Sequence, residues 1–137
     1  MKGDAMSTQA KGTFHVETWD EKPYQEIGGG VKLTRASVAQ TFAGDVEGKG
    51  SVEYLMAYRE DGTATFVGLQ RIEGKVGGRS GSFVLQLAGT FEGGVAKAGW
   101  FVVTGAGTGD LRSLRGGGGF EAPHGPDGTV TLDYDFG

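Results

Sequence analysis

The chain contains no cysteine, three prolines and two histidines in 137 residues. Without cysteine there is no disulfide, no thiolate nucleophile and no Cys-ligated zinc, and two histidines leave little for another transition-metal site. No apolar run approaches the ~18–20 residues of a membrane helix, and Met1 to Lys11 carries no hydrophobic segment of a secretory signal. With 13 basic and 17 acidic residues the net charge is −4. The long-range field therefore repels phosphate backbones, and neither nucleic acid nor membrane is an expected partner. A soluble, cytoplasmic protein without metal or cofactor is the expectation.

What is abundant is glycine, 28 residues, with no G-x-y period. Residues 1–10 are small, polar and without periodicity, and are expected to be a disordered N-terminal extension. From Lys11 onward β-branched and aromatic residues come in runs bounded by Gly or Asp-Gly, with almost no 3.6-residue pattern. Strands are expected over 11–19, 31–43, 49–59, 63–76, 79–91, 95–104, 117–122 and 129–136. Asp61-Gly62, Gly77-Gly78 and Gly93-Gly94 suit two-residue hairpin turns, so successive strands become antiparallel neighbours. An eight-stranded meander over 11–137, with strands too long to leave as exposed edges, favours closure into a single all-β barrel.

The turns also predict which residues face one another. About Gly77-Gly78, Phe66 falls opposite Gly89, Gly68 opposite Leu87, Gln70 opposite Leu85 and Ile72 opposite Phe83. About Gly93-Gly94, Trp100 meets Leu87 and Val102 meets Leu85. About Asp61-Gly62, Ala57 meets Phe66, Leu55 meets Gly68 and Glu53 meets Gln70. Bulky residues over glycines suit the inside of a small barrel. The expected interior is thus Glu53, Leu55, Ala57, Phe66, Gly68, Gln70, Ile72, Phe83, Leu85, Leu87, Trp100 and Val102. Tyr54, Met56, Val67 and Leu69 then lie outside as an apolar patch, which suggests a homo-oligomer, dimer or trimer. A three-residue turn at Asp61-Gly62 would instead shift that register by one and invert the face.

In the leading register Glu53 sits on the inner wall across from Gln70. Desolvation would raise its pKa toward that of a general acid or base, with Gln70 as hydrogen-bond donor; the bland alternative is a structural Glu–Gln pair. Phe66, Phe83, Leu85, Leu87, Trp100 and Tyr134 would line the lumen, as a pocket for an apolar molecule or as a filled core. Arg35 has the parity opposite to Ala36, Val38 and Phe42, where it would meet an acidic surface group or a neighbouring subunit; a bulge would turn it inward as a substrate clamp. His15 and His124 lack metal-ligand spacing and read as surface residues. Gly105-Ala106-Gly107-Thr108-Gly109 lacks the Lys-Ser/Thr of a phosphate-binding loop and reads as a crossing of a barrel end.

The segments Gly99–Phe120 and Arg79–Thr90, with Thr34-Arg35-Ala36, Thr41-Phe42-Ala43-Gly44-Asp45, Glu53-Tyr54-Leu55 and Phe66-Val67-Gly68-Leu69, resemble a bacterial family of small uncharacterised proteins built as allene-oxide-cyclase-like barrels. The glycine-rich Gly105–Leu111 and Leu114-Arg115-Gly116 are similar to a turn of plant dirigent proteins. The resemblance implies a closed eight-stranded barrel, often oligomeric, whose hydrophobic interior steers cyclisation or coupling of a small molecule. It also implies Glu where this chain has Gln70 and His where it has Leu87, so an acid–base pair there is missing. The expected function is a cofactor-independent cyclase or isomerase, or else a binding protein for an apolar metabolite.

Overall fold

The computed structural model describes residues 7–123 and 125–137. They form nine antiparallel strands: β1 (Thr8–Gly28), β2 (Val31–Gly44), β3 (Val46–Tyr58), β4 (Ala64–Val76), β5 (Arg79–Glu92), β6 (Val95–Val102), β7 (Thr108–Gly109), β8 (Arg115–Ala122) and β9 (Asp127–Asp135). The sheet order is β4-β3-β2-β1-β9-β8-β6-β5-β7, and β4 also pairs with β5. Hydrogen bonding among the long strands thus closes into a barrel-like ring, which leaves few open sheet edges. The two-residue β7 was not expected; it pairs with Gly81 and Ser82 of β5.

Two hairpins follow the expected registers. Gly77 and Gly78 both have positive φ, as do Gly93 and Gly94, and Phe66–Gly89, Gln70–Leu85, Ile72–Phe83 and Leu87–Trp100 are paired. The β3–β4 hairpin does not follow its expected register. Tyr54 faces Gly68 and Met56 faces Phe66. Its loop is Glu60-Asp61-Gly62, closed by Arg59 N donating to Thr63 O at 2.8 Å, with Gly62 at φ 86°. A two-residue turn would require Asp61 itself at positive φ, whereas the three-residue loop places only glycine there. The Asp61 carboxylate accepts bonds from the Thr63 backbone N and hydroxyl at 3.0 and 2.7 Å, which holds the longer loop. The one-residue shift turns Val52, Tyr54 and Met56 inward and Glu53, Leu55 and Ala57 outward. The expected interior is corrected accordingly, and Tyr54 and Met56 leave the expected outer patch.

β1 also exceeds its expected bounds in both directions. Thr8 to Ala10 pair with Tyr134 to Leu132, and Ala10 is buried, so the expected disordered extension is corrected over these residues; residues 1–6 lie outside the described ones. Beyond Trp19 the strand runs on to Gly28 against β2 alone, because β9 pairs with β1 only as far as His15. Pro23 and the charged run Asp20-Glu21-Lys22 obscure this stretch in sequence. Both features are tolerated on an edge, where one row of backbone groups faces solvent.

The ring has two unlike ends. At one, Leu111 and Leu114 of the loop between β7 and β8 are wholly buried in the core, with Asp110 N donating to Ser80 O of β5 at 2.8 Å, and they plug it. Above the plug, Ile72, Leu85, Leu87, Trp100 and Leu132 fill the interior. The Trp100 indole N–H donates to Thr131 O at 3.1 Å, so its one polar group is satisfied. The other end, between the loops at 29–30, 59–63, 93–94 and 123–126, is open. No helix of the described residues is long and apolar enough to cross a membrane.

Candidate functional site

The open end holds a cavity of about 300 Å³. Its side chains come from most of the ring: Phe14 and Trp19 of β1, Gln40 of β2, Tyr54 and Met56 of β3, Phe66 of β4 and Phe120 of β8. Strand alternation places Phe14 inward, and the same alternation alone would send Trp19 outward. A β-bulge between Val16 and Thr18 intervenes, leaving Glu17 unpaired. Past it Trp19 pairs with Val38 and Glu21 with Ala36, both inward-facing positions, so the bulge aims the indole and the carboxylate at the mouth.

The aromatic rings form one connected wall. Trp19 lies 5.8 Å from Tyr54 between ring centroids, Tyr54 meets Phe66 edge-on at 5.3 Å, and Phe120 contacts Phe14, Phe66 and Trp100. Such offset and edge-on pairs fix the rings in place. The mouth is partly covered by Trp19, which is itself half-exposed.

Two polar groups serve this site. On the rim, the Glu21 carboxylate accepts three side-chain hydrogen bonds, from Tyr58 OH and Thr34 Oγ1 at 2.7 Å each and from Trp19 Nε1 at 2.9 Å. Burial pushes the Glu21 pKa up, but the bonds from Tyr58, Thr34 and Trp19 outweigh it and the net shift is downward. Tyr58 is pushed up strongly by burial and by donating to Glu21. The carboxylate therefore stays ionised and ties Trp19 to β2 and β3. On the floor, Gln70 donates its side-chain N–H to Gln40 Oε1, and Gln40 lines the cavity together with Tyr54. All three residues are buried.

The residues expected from sequence are distributed otherwise. Glu53 is on the outer wall, where its Oε1 accepts from Ser37 Oγ at 2.8 Å and Arg35 Nε at 2.9 Å. These two bonds lower its pKa, where the inner wall was expected to raise it. Gln70 is inside as expected, but its partner is Gln40. Arg35 is half-exposed and meets an acidic surface group, the outward alternative of its parity, so its expected substrate-clamping place is corrected. Phe66 lines the mouth. Phe83, Leu85, Leu87 and Trp100 are packed core below it, because the plugged end leaves them no free volume. Tyr134 lies at the closed end, edge-on to Phe136 at 5.7 Å. His15 is exposed and bonded to Asp127 at 2.6 Å; His124 lies outside the described residues.

Sequence reasoning missed Gln40, although the alternation Ala36, Val38, Gln40, Phe42 carries the signal. It missed Trp19, Glu21 and Tyr58 as well, and for the first two the only trace is the change of apolar spacing from two to three between Phe14, Val16 and Trp19.

No curated protein is significantly similar to the chain. A solved protein from Shewanella oneidensis MR-1, described as of unknown function and from the DUF3224 family, is 29% identical with a TM-score of 0.76, over 96% of this chain and 98% of that one. Residues 10–134 match the family model described as protein of unknown function (DUF3224), and this chain therefore belongs to that family.

Proposed function

We propose that the protein binds a small apolar molecule in the mouth of the ring, beneath Trp19. The observation that carries this reading is the aromatic cavity of about 300 Å³ at the one end the core leaves unfilled. Its size is at the small end of small-molecule sites, and apolar walls around a few polar groups are their usual make-up. The resemblance to allene-oxide-cyclase-like barrels supports the same reading, since such barrels handle small hydrophobic molecules inside. Glu53, expected as the acid or base of the inner wall, lies on the outer wall, which favours binding over proton transfer.

A cofactor-independent cyclase or isomerase acting on the same class of molecule is the second reading. The Tyr58–Glu21 hydrogen bond at the cavity edge favours it, because a phenol that donates to a carboxylate can accept a proton from a bound substrate as its own passes to Glu21, while the walls hold the reactive conformation.

The test is a fluorescence titration with N-phenyl-1-naphthylamine, a neutral apolar probe. Saturable one-to-one binding, weakened roughly tenfold or more by Trp19→Ala, is expected from loss of a buried aromatic contact. Absence of saturable binding, or binding indifferent to both Trp19→Ala and Phe120→Ala, overturns the reading.

The outer wall supports a proposal of its own, a second copy of this chain. Leu55, Val67, Leu69 and Phe101 are 48–68% exposed on adjoining strands, around a trough floored by Gly68, Ala88 and Gly99. At its edge the Arg35–Glu53 pair carries one charge of each sign. A two-fold contact over this trough would bury these four side chains against the same patch of a second copy, with the oppositely charged pair at its edge.

A further inference from the structure

The chemistry of the cavity floor narrows the ligand further, and this step rests on the mouth being a binding site. We infer that the ligand is a neutral, flat, apolar molecule of about two rings that presents one hydrogen-bond acceptor, such as a carbonyl oxygen, to Gln40 and Tyr54.

The first argument is an inventory of hydrogen-bonding groups. Gln40 and Tyr54 both line the cavity and are 5% and 4% exposed. Gln40 Oε1 accepts from the Gln70 N–H, which leaves the Gln40 amino group for another partner. An amide NH₂ brings two protons and no acceptor, so a ligand atom that pairs with it must be an acceptor, and the Tyr54 O–H can donate to that same atom. A buried donor without an acceptor costs about 1–3 kcal/mol. A ligand acceptor placed there relieves that cost, whereas a ligand ending in a hydrocarbon does not.

The second argument is charge. Among the described residues lining the cavity none carries a charge, and the ionised Glu21 stands at the rim. The chain as a whole carries −4. Lys32, 5.2 Å from the Tyr58 ring, balances Glu21 at the rim, but on the floor a carboxylate ligand would lose its hydration with no cation to meet it, and a cationic ligand would find no carboxylate. Burial also holds the Tyr54 phenol protonated, so it stays a donor.

The third argument is shape. Faces of Phe66 and Phe120, stacked at 21° and 6.4 Å, and the Trp19 indole above Tyr54 frame the space with flat surfaces. Flat rings make offset contacts with such walls; a globular aliphatic body does not.

The experiment compares 2-acetylnaphthalene, 2-ethylnaphthalene and 2-naphthoate by calorimetric titration, with wild type, Gln40→Met and Tyr54→Phe. The ketone should bind wild type about tenfold more tightly than the hydrocarbon, as one buried hydrogen bond allows, and the carboxylate should bind most weakly. Both variants should lose most of the preference for the ketone over the hydrocarbon, the ratio of the two affinities being the quantity read. Tyr54→Phe leaves the Gln40–Gln70 bond intact, so the comparison survives if Gln40→Met does not fold. Equal binding of ketone and hydrocarbon, or strongest binding of the carboxylate, overturns the acceptor inference and leaves the binding site standing. If none of the three binds, the inference falls, and a simultaneous failure of N-phenyl-1-naphthylamine removes the site with it.

Discussion

The Trp19 indole stands 5.8 Å from the Tyr54 ring, inclined by 31°, and its N–H is held by Glu21 at 2.9 Å. One bond thus fixes a residue of an unsupported edge over a residue of the floor. Beyond Val16, whose N donates to Pro126 O at 2.8 Å, the strand is paired with β2 alone among the described residues, so its position depends on β2 and on this carboxylate.

That dependence predicts a response to acid. The Glu21 pKa is lowered in the folded protein, so its contribution to stability is complete above the ordinary value of 4.5 and is lost as pH falls through the folded value. Trp19 emission should shift to the red on acidification before global unfolding, and Glu21→Gln should remove the pH dependence of that shift. Trp100, buried and bonded to backbone, serves as the internal reference when Trp19→Phe is measured alongside.

The buried amide pair predicts non-additive stability. Gln70→Leu leaves Gln40 Oε1 without its donor and should cost about 1–3 kcal/mol in urea unfolding. The double variant Gln40→Leu/Gln70→Leu removes both partners and should recover a good part of that loss. Equal costs that simply add would show that the bond contributes nothing.

Glu53 separates the two walls. Its carboxylate is half-exposed and lies outside, so Glu53→Gln should leave ligand affinity in the mouth unchanged and alter stability by less than about 1 kcal/mol. A loss of binding or turnover of tenfold or more would place Glu53 in the function after all.

The outer patch predicts assembly. Wild type should elute as a dimer at micromolar concentration, and Leu69→Lys should elute as a monomer of 14.2 kDa with unchanged circular dichroism. A wild type that already runs as the monomer ends the proposal.

Strand content, the two glycine-paired hairpins and the inward set from Phe66 to Val102 are determined by sequence alone. Gly77-Gly78 and Gly93-Gly94 accept positive φ at both turn positions, and with the turn set, a period of two assigns every side chain. Gln40 belongs to this legible part, since its alternation partners are apolar and point inward. The face of β3 does not, because alternation is the same after a slip of one residue, and Asp61 chose the longer loop through bonds to Thr63 that no pattern of apolar residues records. The mouth likewise depends on the bulge at Glu17 and on an edge strand of polar residues held by Glu21, both consequences of contacts between β1, β2 and β3. Whether the ring would be filled or hollow was also decided in three dimensions: Leu111 and Leu114, in a loop just before β8 that carries no strand pattern, close one end, and the aromatic rings at the other end are left with space beneath Trp19.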